Sequence, residues 1–149
     1  MDVKIVSRNR KASHEYFLFD QMEAGLVLQG SEIKSIRAGQ MSLAEAYIQI
    51  DGSEAWLIDA HIAPYFQSGR YNHDPRRPRK LLLHKKEIIK LWNNVRQKGT
   101  TIVPISVYLK NGRAKIQIAV AKGKKLYDKR QSIAKRDSQR DVEREFHLN

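Results

Sequence analysis

The chain has 149 residues, with Lys+Arg at 28 against 16 for Asp+Glu and a net charge of +12. That allows one ordinary domain plus a tail, self-repelling unless a polyanion such as nucleic acid or acidic lipid is near. It holds no cysteine, which excludes a disulfide framework, thiolate zinc sites and a cysteine nucleophile.

Met1–Ser13 is polar and basic, with Arg8, Arg10 and Lys11 around Asn9, and reads as a flexible arm without the apolar core of a signal peptide. His14–Phe19 then carries an aromatic run suited to a strand, with Leu26–Leu28 as its partner across a loop holding Asp20, Glu23 and Gly25. Ser31 is a candidate N-cap for a short helix, and Gly39 suits the left-handed position beyond its end. Ala44–Ala63 reads as a hairpin around Asp51-Gly52. A loop of Asp51–Ser53 pairs Ile48 with Trp56 and Ala46 with Ile58, and a two-residue loop fits less well.

From Pro64 to Arg79 the chain is irregular, broken by Pro64, Gly69, Pro75 and Pro78. Arg70, Arg76, Arg77 and Arg79 interleave there with Tyr65, Phe66, Tyr71 and His73. Such a mixture suits a loop lying along RNA, and equally a loop that is basic for solubility alone. Lys85–Lys98 is predicted as a helix, with Ile88, Leu91, Trp92 and Val95 on an apolar stripe, Trp92 in the core and Gly99 beyond the end. Asn111-Gly112 is a strong two-residue turn signal. Pairing outward from it joins Leu109 to Ala114, Val107 to Ile116, Ile105 to Ile118 and Val103 to Val120. The opposite face receives Tyr108 with Lys115 and Lys110 with Arg113. The fold class expected is mainly β with short helices, closing wholly or partly into an OB-like barrel over residues 14–130.

Beyond the second hairpin, Lys122–Arg130 reads K-G-K-K-L-Y-D-K-R. Its cations neutralise phosphates and the ring of Tyr127 can stack on an unpaired base, although lysines also cluster simply where a chain leaves its domain. Gln131–Asn149 has only Ile133, Ala134, Val142, Phe146 and Leu148 as apolar residues. That is too little to offset an ordering cost of ~1–2 kcal/mol per residue. Drawn as a helix, it sets Arg136, Arg140 and Arg144 in one stripe beside Asp137, Asp141 and Glu145. The expectation is a tail disordered when free and helical against RNA; a solvated helix packing Val142 and Phe146 on the barrel is the alternative.

The five histidines, His14, His61, His73, His84 and His147, lack metal-ligand spacing, and no P-loop, H-E-x-x-H or nucleophile elbow is present. A binding protein without catalytic residues, metal or cofactor is expected. No stretch approaches the length needed to span a bilayer, and the tail's apolar stripe is too thin for membrane-surface binding, so the expected location is the cytoplasm.

Five stretches carry a resemblance. They are N-R-K-A at Asn9–Ala12, H-E-Y-F at His14–Phe17 and E-A-G-L-V-L-Q-G-S-E-I-K-S-I-R-A-G at Glu23–Gly39, then D-P-R-R-P-R-K-L-L-L at Asp74–Leu83 and A-V-A-K-G-K-K-L-Y-D-K-R at Ala119–Arg130. In this order, over nearly the whole chain, they resemble the SmpB family, the SsrA-binding proteins of bacterial trans-translation. The resemblance implies an OB-like barrel that binds the tRNA-like domain of tmRNA near its elbow and D-loop. It further implies entry into stalled ribosomes, delivery of the charged RNA by elongation factor Tu with GTP, and a tail that senses the empty mRNA channel. Carried over by motif, the tmRNA-facing positions are His14, Tyr16, Glu23, Leu82, Lys115, Gly123, Lys124 and Lys125. Tyr127, Asp128, Lys129 and Arg130 resemble the segment that reaches the small-subunit decoding centre, with Arg136, Arg140 and Arg144 as further ribosome contacts. Some family members carry histidine where Tyr127 stands, and the tail matches in character more than in letters. A general RNA-binding barrel, such as a ribosomal protein, is the alternative.

Overall fold

The computed structural model describes residues 3–124. Lys125, Tyr127, Asp128, Lys129, Arg130, Arg136, Arg140 and Arg144 lie outside the described residues. In chain order the elements are β1 (Val3–Arg8), α1 (Arg10–Glu15), β2 (Tyr16–Leu26), α2 (Gly30–Arg37), β3 (Met41–Ser42), β4 (Tyr47–Asp51), β5 (Glu54–Ile58) and β6 (His61–Ile62). A 3₁₀ segment (Phe66–Tyr71), β7 (Arg79–Leu82), α3 (Lys85–Val95), β8 (Thr100–Lys110) and β9 (Arg113–Gly123) follow.

Seven strands form one antiparallel sheet in the order β1-β8-β9-β2-β7-β5-β4, while β3 pairs separately with β6. The sheet curls until β4 lies against β8. No ladder joins its two edges, so of the expected OB-like barrel, closed wholly or partly, the described residues show a mainly β, open curled sheet and no closure. α3 packs against β8, β4 and β9 with Ile88 and Leu91 buried, and the core gathers Leu43, Leu57, Leu81, Ile102, Val107, Ile116 and Ile118.

The longest hairpin, β8–β9, turns on Asn111 and Gly112, both at positive φ (52° and 77°). That is the primed-turn geometry which matches strand twist. Leu109 meets Ala114 and Val107 meets Ile116 as expected, but Ile118 then faces Pro104 and Val120 faces Ile102. The shift is a bulge between Pro104 and Ser106. A proline cannot donate to a ladder, so it is tolerated inside this strand where the ladder breaks. Asn9 uses the irregularity. Its N–H donates to the Ile105 carbonyl at 2.8 Å, its Nδ2 to the Pro104 carbonyl at 2.9 Å, and its Oδ1 accepts from Ala12 N–H at the start of α1.

Four other expectations are corrected. The basic opening segment is not a loose arm: Val3–Arg8 is a strand paired with β8, and Asn9 caps α1. Tyr16–Leu26 is one strand rather than a hairpin, and it pairs with β9 and β7. A bulge between Phe19 and Met22, with Asp20 at φ 47°, bends it. The β4–β5 hairpin takes the two-residue loop, setting Ile48 against Leu57 and Gln49 against Trp56. α2 is capped by Gln29, whose N–H donates to Glu32 Oε1 at 2.8 Å, while the Ser31 hydroxyl turns to His73. Gly39, beyond α2, does take a positive φ of 74°. Among the described residues no helix is long and apolar enough to cross a membrane.

Candidate nucleic-acid interface

The β2–β9 ladder sorts its side chains by face. Ile116 and Ile118 oppose Ala24 and Met22 on the core side, so Lys115 and Gln117, opposite Gly25 and Glu23, stand outside. Eight residues separate Lys115 from Gly123, roughly 26 Å along an extended strand. The candidate positions gather near these two ends.

At the Gly123 end, α1 covers the outer face. Ala12 packs with Val103 and Ala121, and Tyr16 and Leu18 pack against that cluster. His14 lies in the last turn of α1 and is exposed, so it is not on a strand with Tyr16, which caps the helix. Tyr16 pairs with Gly123, around whose Cα no atom of the described residues would meet an added Cβ within 4 Å. The bare backbone is open to approach there. Lys124 Nζ donates to the Ser13 carbonyl at 2.9 Å and sits 5.5 Å from the centroid of Phe17. Lys122 Nζ lies 5.6 Å from the centroid of Phe19. Ammonium groups held over rings form a cationic and aromatic edge, suited to phosphates and stacked bases.

At the other end, Gly25 faces Leu82 on one side and Lys115 on the other. A Cβ on Gly25 would come within 3.3 Å of Leu82 Cβ, so the glycine lets Leu82 lie close to β2. Leu82 is 58% exposed, which removes it from the core. Glu23, Gly25, Leu82 and Lys115 line an open groove of about 600 Å³ with Lys80, His84 and Glu87. Glu23 is held rather than free. Its Oε2 accepts from the Tyr108 hydroxyl and lies 3.8 Å from Lys110 Nζ. Burial, followed by the bond to Glu23, raises the Tyr108 phenol above its ordinary value, so it remains a donor at neutral pH. A carboxylate tethered on a basic surface can accept from base edges or ribose hydroxyls while repelling phosphate.

These neighbouring elements, α1, β2, β7 and β9, with Lys124 just past the end of β9, carry the positions expected to face tmRNA that fall among the described residues. A family model described as "SmpB protein" matches residues 6–148. The chain belongs to the SmpB family. The SsrA-binding protein of Desulforudis audaxviator (strain MP104C) is 54% identical over 141 residues, covering 95% of this chain and 92% of the relative. That of Roseiflexus castenholzii (strain DSM 13941 / HLO8) is 56% identical over 142 residues, covering 95% and 90%. A solved structure described as "tmRNA-SmpB: a journey to the center of the bacterial ribosome" superposes with a TM-score of 0.68 at 42% identity, covering 78% of this chain and 82% of that one.

The family positions omit the tether of Glu23. Tyr108 and Lys110 both contact that carboxylate, and their signal in the sequence was the Asn111-Gly112 register, which sets Tyr108 opposite Lys115. The arginine-rich loop is divided. Arg79 is fully buried on Glu32 and cannot lie along RNA, while Arg77 is half-buried and tied to the same carboxylate. Arg70 and Arg76 remain exposed.

Proposed function

We propose that this chain binds the tRNA-like domain of tmRNA through the α1–β2–β9–β7 surface and accompanies that RNA to stalled ribosomes for trans-translation. Elongation factor Tu with GTP delivers the charged RNA. The segment from Lys125 onward, with Tyr127, Asp128, Lys129, Arg130, Arg136, Arg140 and Arg144, probes the decoding centre and empty mRNA channel. The role is binding, carried out in the cytoplasm, without chemistry of its own. The OB-like reading of the body is supported by the curl that brings β4 to β8.

The observation that carries this reading is the Glu23–Tyr108–Lys110 tether beside Leu82 and Lys115. A surface that gripped RNA by charge alone has no use for a carboxylate fixed among its cations. A gel shift with the tRNA-like fragment against ordinary tRNA, over a salt series, tests it. The fragment is expected to stay bound at salt that releases ordinary tRNA, because charge-only binding falls steeply with salt. Equal release of the two would favour a general RNA-binding or ribosomal protein. Tyr108→Phe frees the carboxylate and is expected to weaken fragment binding by about 1 kcal/mol, roughly fivefold in Kd. The melting temperature should barely change, since the bond lies at the surface; unchanged affinity would dismiss the tether.

A further inference from the structure

The two most exposed large apolar side chains among the described residues are rings on the 3₁₀ segment, Phe66 at 94% and Tyr71 at 76%. Their mounting is fixed at its base. Asn72 brackets the loop, its Oδ1 accepting from Tyr65 N–H at 2.9 Å and its Nδ2 donating to the Tyr65 carbonyl at 2.7 Å. His73 is buried next to it. The Ile62 carbonyl, 2.9 Å from Nε2, can only accept, so Nε2 donates, and Nδ1 shares a hydrogen bond with the Ser31 hydroxyl at 2.8 Å. Gly69, at φ 54°, supplies the kink between the two rings.

Cations frame these rings. The Arg70 guanidinium carbon lies 5.2 Å from the Tyr71 centroid and its Nη2 donates to the Tyr71 hydroxyl at 3.2 Å, covering one face of that ring. Lys34 Nζ lies 5.6 Å from the Tyr65 centroid, and Arg37 is exposed one turn along α2. Tyr65–His73 contains no acid. α2 divides this patch from the groove, for Ile33 lines a cleft with Gly25, Leu82 and Lys115 whereas Lys34 turns to Tyr65.

We propose that Phe66, Arg70 and Tyr71 form a second RNA contact, separate from the β2–β9 surface, in which the rings stack on unpaired bases and Lys34 and Arg37 meet phosphates. Tyr71, already held by Arg70, loses little freedom on binding, and stacking on either ring is indifferent to sequence. A protein partner would have to offer carboxylates to three cations here, whereas an RNA strand brings its phosphates with its bases.

The test uses the full chain saturated with the tRNA-like fragment, to which a short unstructured RNA carrying 5-bromouridine is added and irradiated. Crosslinks are expected at Phe66 and Tyr71. The double variant Phe66→Ala, Tyr71→Ala should weaken oligonucleotide binding by about fivefold or more per ring, with Tyr71→Phe close to wild type. Fragment affinity and melting temperature should stay unchanged in all of them. Crosslinks confined to other segments, with unchanged oligonucleotide affinity in the double variant, would overturn the proposal and leave the rings to a protein partner. Equal loss of fragment affinity would overturn it too, by making the loop part of the first surface. Fragment binding measured alone beforehand reports on the proposed function independently, and if it fails the crosslinking is run on the protein alone.

Discussion

Glu32→Gln is expected to destabilise the fold by ~3–5 kcal/mol, lowering the melting temperature by roughly 10 °C or more. Glu32 and Arg79 have no exposed side-chain surface, and the Arg79 Nε bonds Glu32 Oε2 at 2.5 Å. Oε1 accepts from Arg77 Nη2 at 2.5 Å and from the Gln29 N–H at 2.8 Å. Arg79 continues outward, Nη1 donating to the Ala60 carbonyl at 2.7 Å and Nη2 to the Pro75 carbonyl at 3.1 Å. One carboxylate thus joins the start of α2, the β5–β6 connection, the loop before β7 and β7 itself. Neutralising it strands a guanidinium that cannot lose its proton inside the protein. Arg77→Met should cost far less, because that side chain is 30% exposed and its Nε lacks a partner among the described residues. Calorimetry on the two variants separates these cases; a Glu32→Gln loss no larger than that of Arg77→Met would show that the pair does not hold the fold.

The same group has a pH signature. Burial pushes the Glu32 carboxyl up, but bonds from Arg77, the Gln29 N–H and Arg79 outweigh it and hold the group below the usual carboxylate range. A depressed folded-state value stabilises the fold fully above the unfolded value, ~4.3, and the contribution is lost as pH falls through the lower folded value. Wild-type stability should therefore fall below about pH 4 with a component absent from Glu32→Gln.

Local signals were legible where a single chemical device decides geometry, and illegible where a tertiary contact does. Asn111-Gly112 set the β8–β9 register correctly as far as Val107 and Ile116, after which Pro104 imposed a bulge that no alternation reveals. β2 looked like a loop because Gln21, Glu23 and Gly25 are its outward face; Met22, Ala24 and Leu26, with period two, are its inward one. Trp92 shares helical spacing with Ile88 and Leu91, yet it is 45% exposed, because the buried strip of α3 is only one residue wide per turn. Arg79 read as an exposed cation, RNA-facing or merely solvated, because composition cannot tell a solvated guanidinium from one buried on a distant glutamate. The site fared likewise. Lys115 beside Tyr108 followed from the turn, whereas the joining of Glu23 to Tyr108 spans 85 residues and required the β2–β9 pairing.

Ending the chain after Arg130 is expected to abolish tagging on stalled ribosomes while leaving affinity for the tRNA-like fragment within about twofold and its salt slope unchanged. Residues 131–149 carry four cations, Lys135, Arg136, Arg140 and Arg144, and four acids, Asp137, Asp141, Glu143 and Glu145. Their removal cancels to zero, so residues 1–130 retain the whole net charge of +12 that draws RNA to the body. A tail with no net charge can contribute to binding only through its pattern. As a helix it would set Arg136, Arg140 and Arg144 on one stripe, and that stripe has a partner only where a phosphate-lined channel selects it over the acidic one. Replacing Asp128, Lys129 and Arg130 by alanine should give the same division of effects, since on the proposed function these residues probe the decoding centre. A truncated chain that still tags stalled ribosomes would place the ribosome-sensing function in the β sheet, and a truncated chain that loses the fragment would make body and tail one RNA-binding unit.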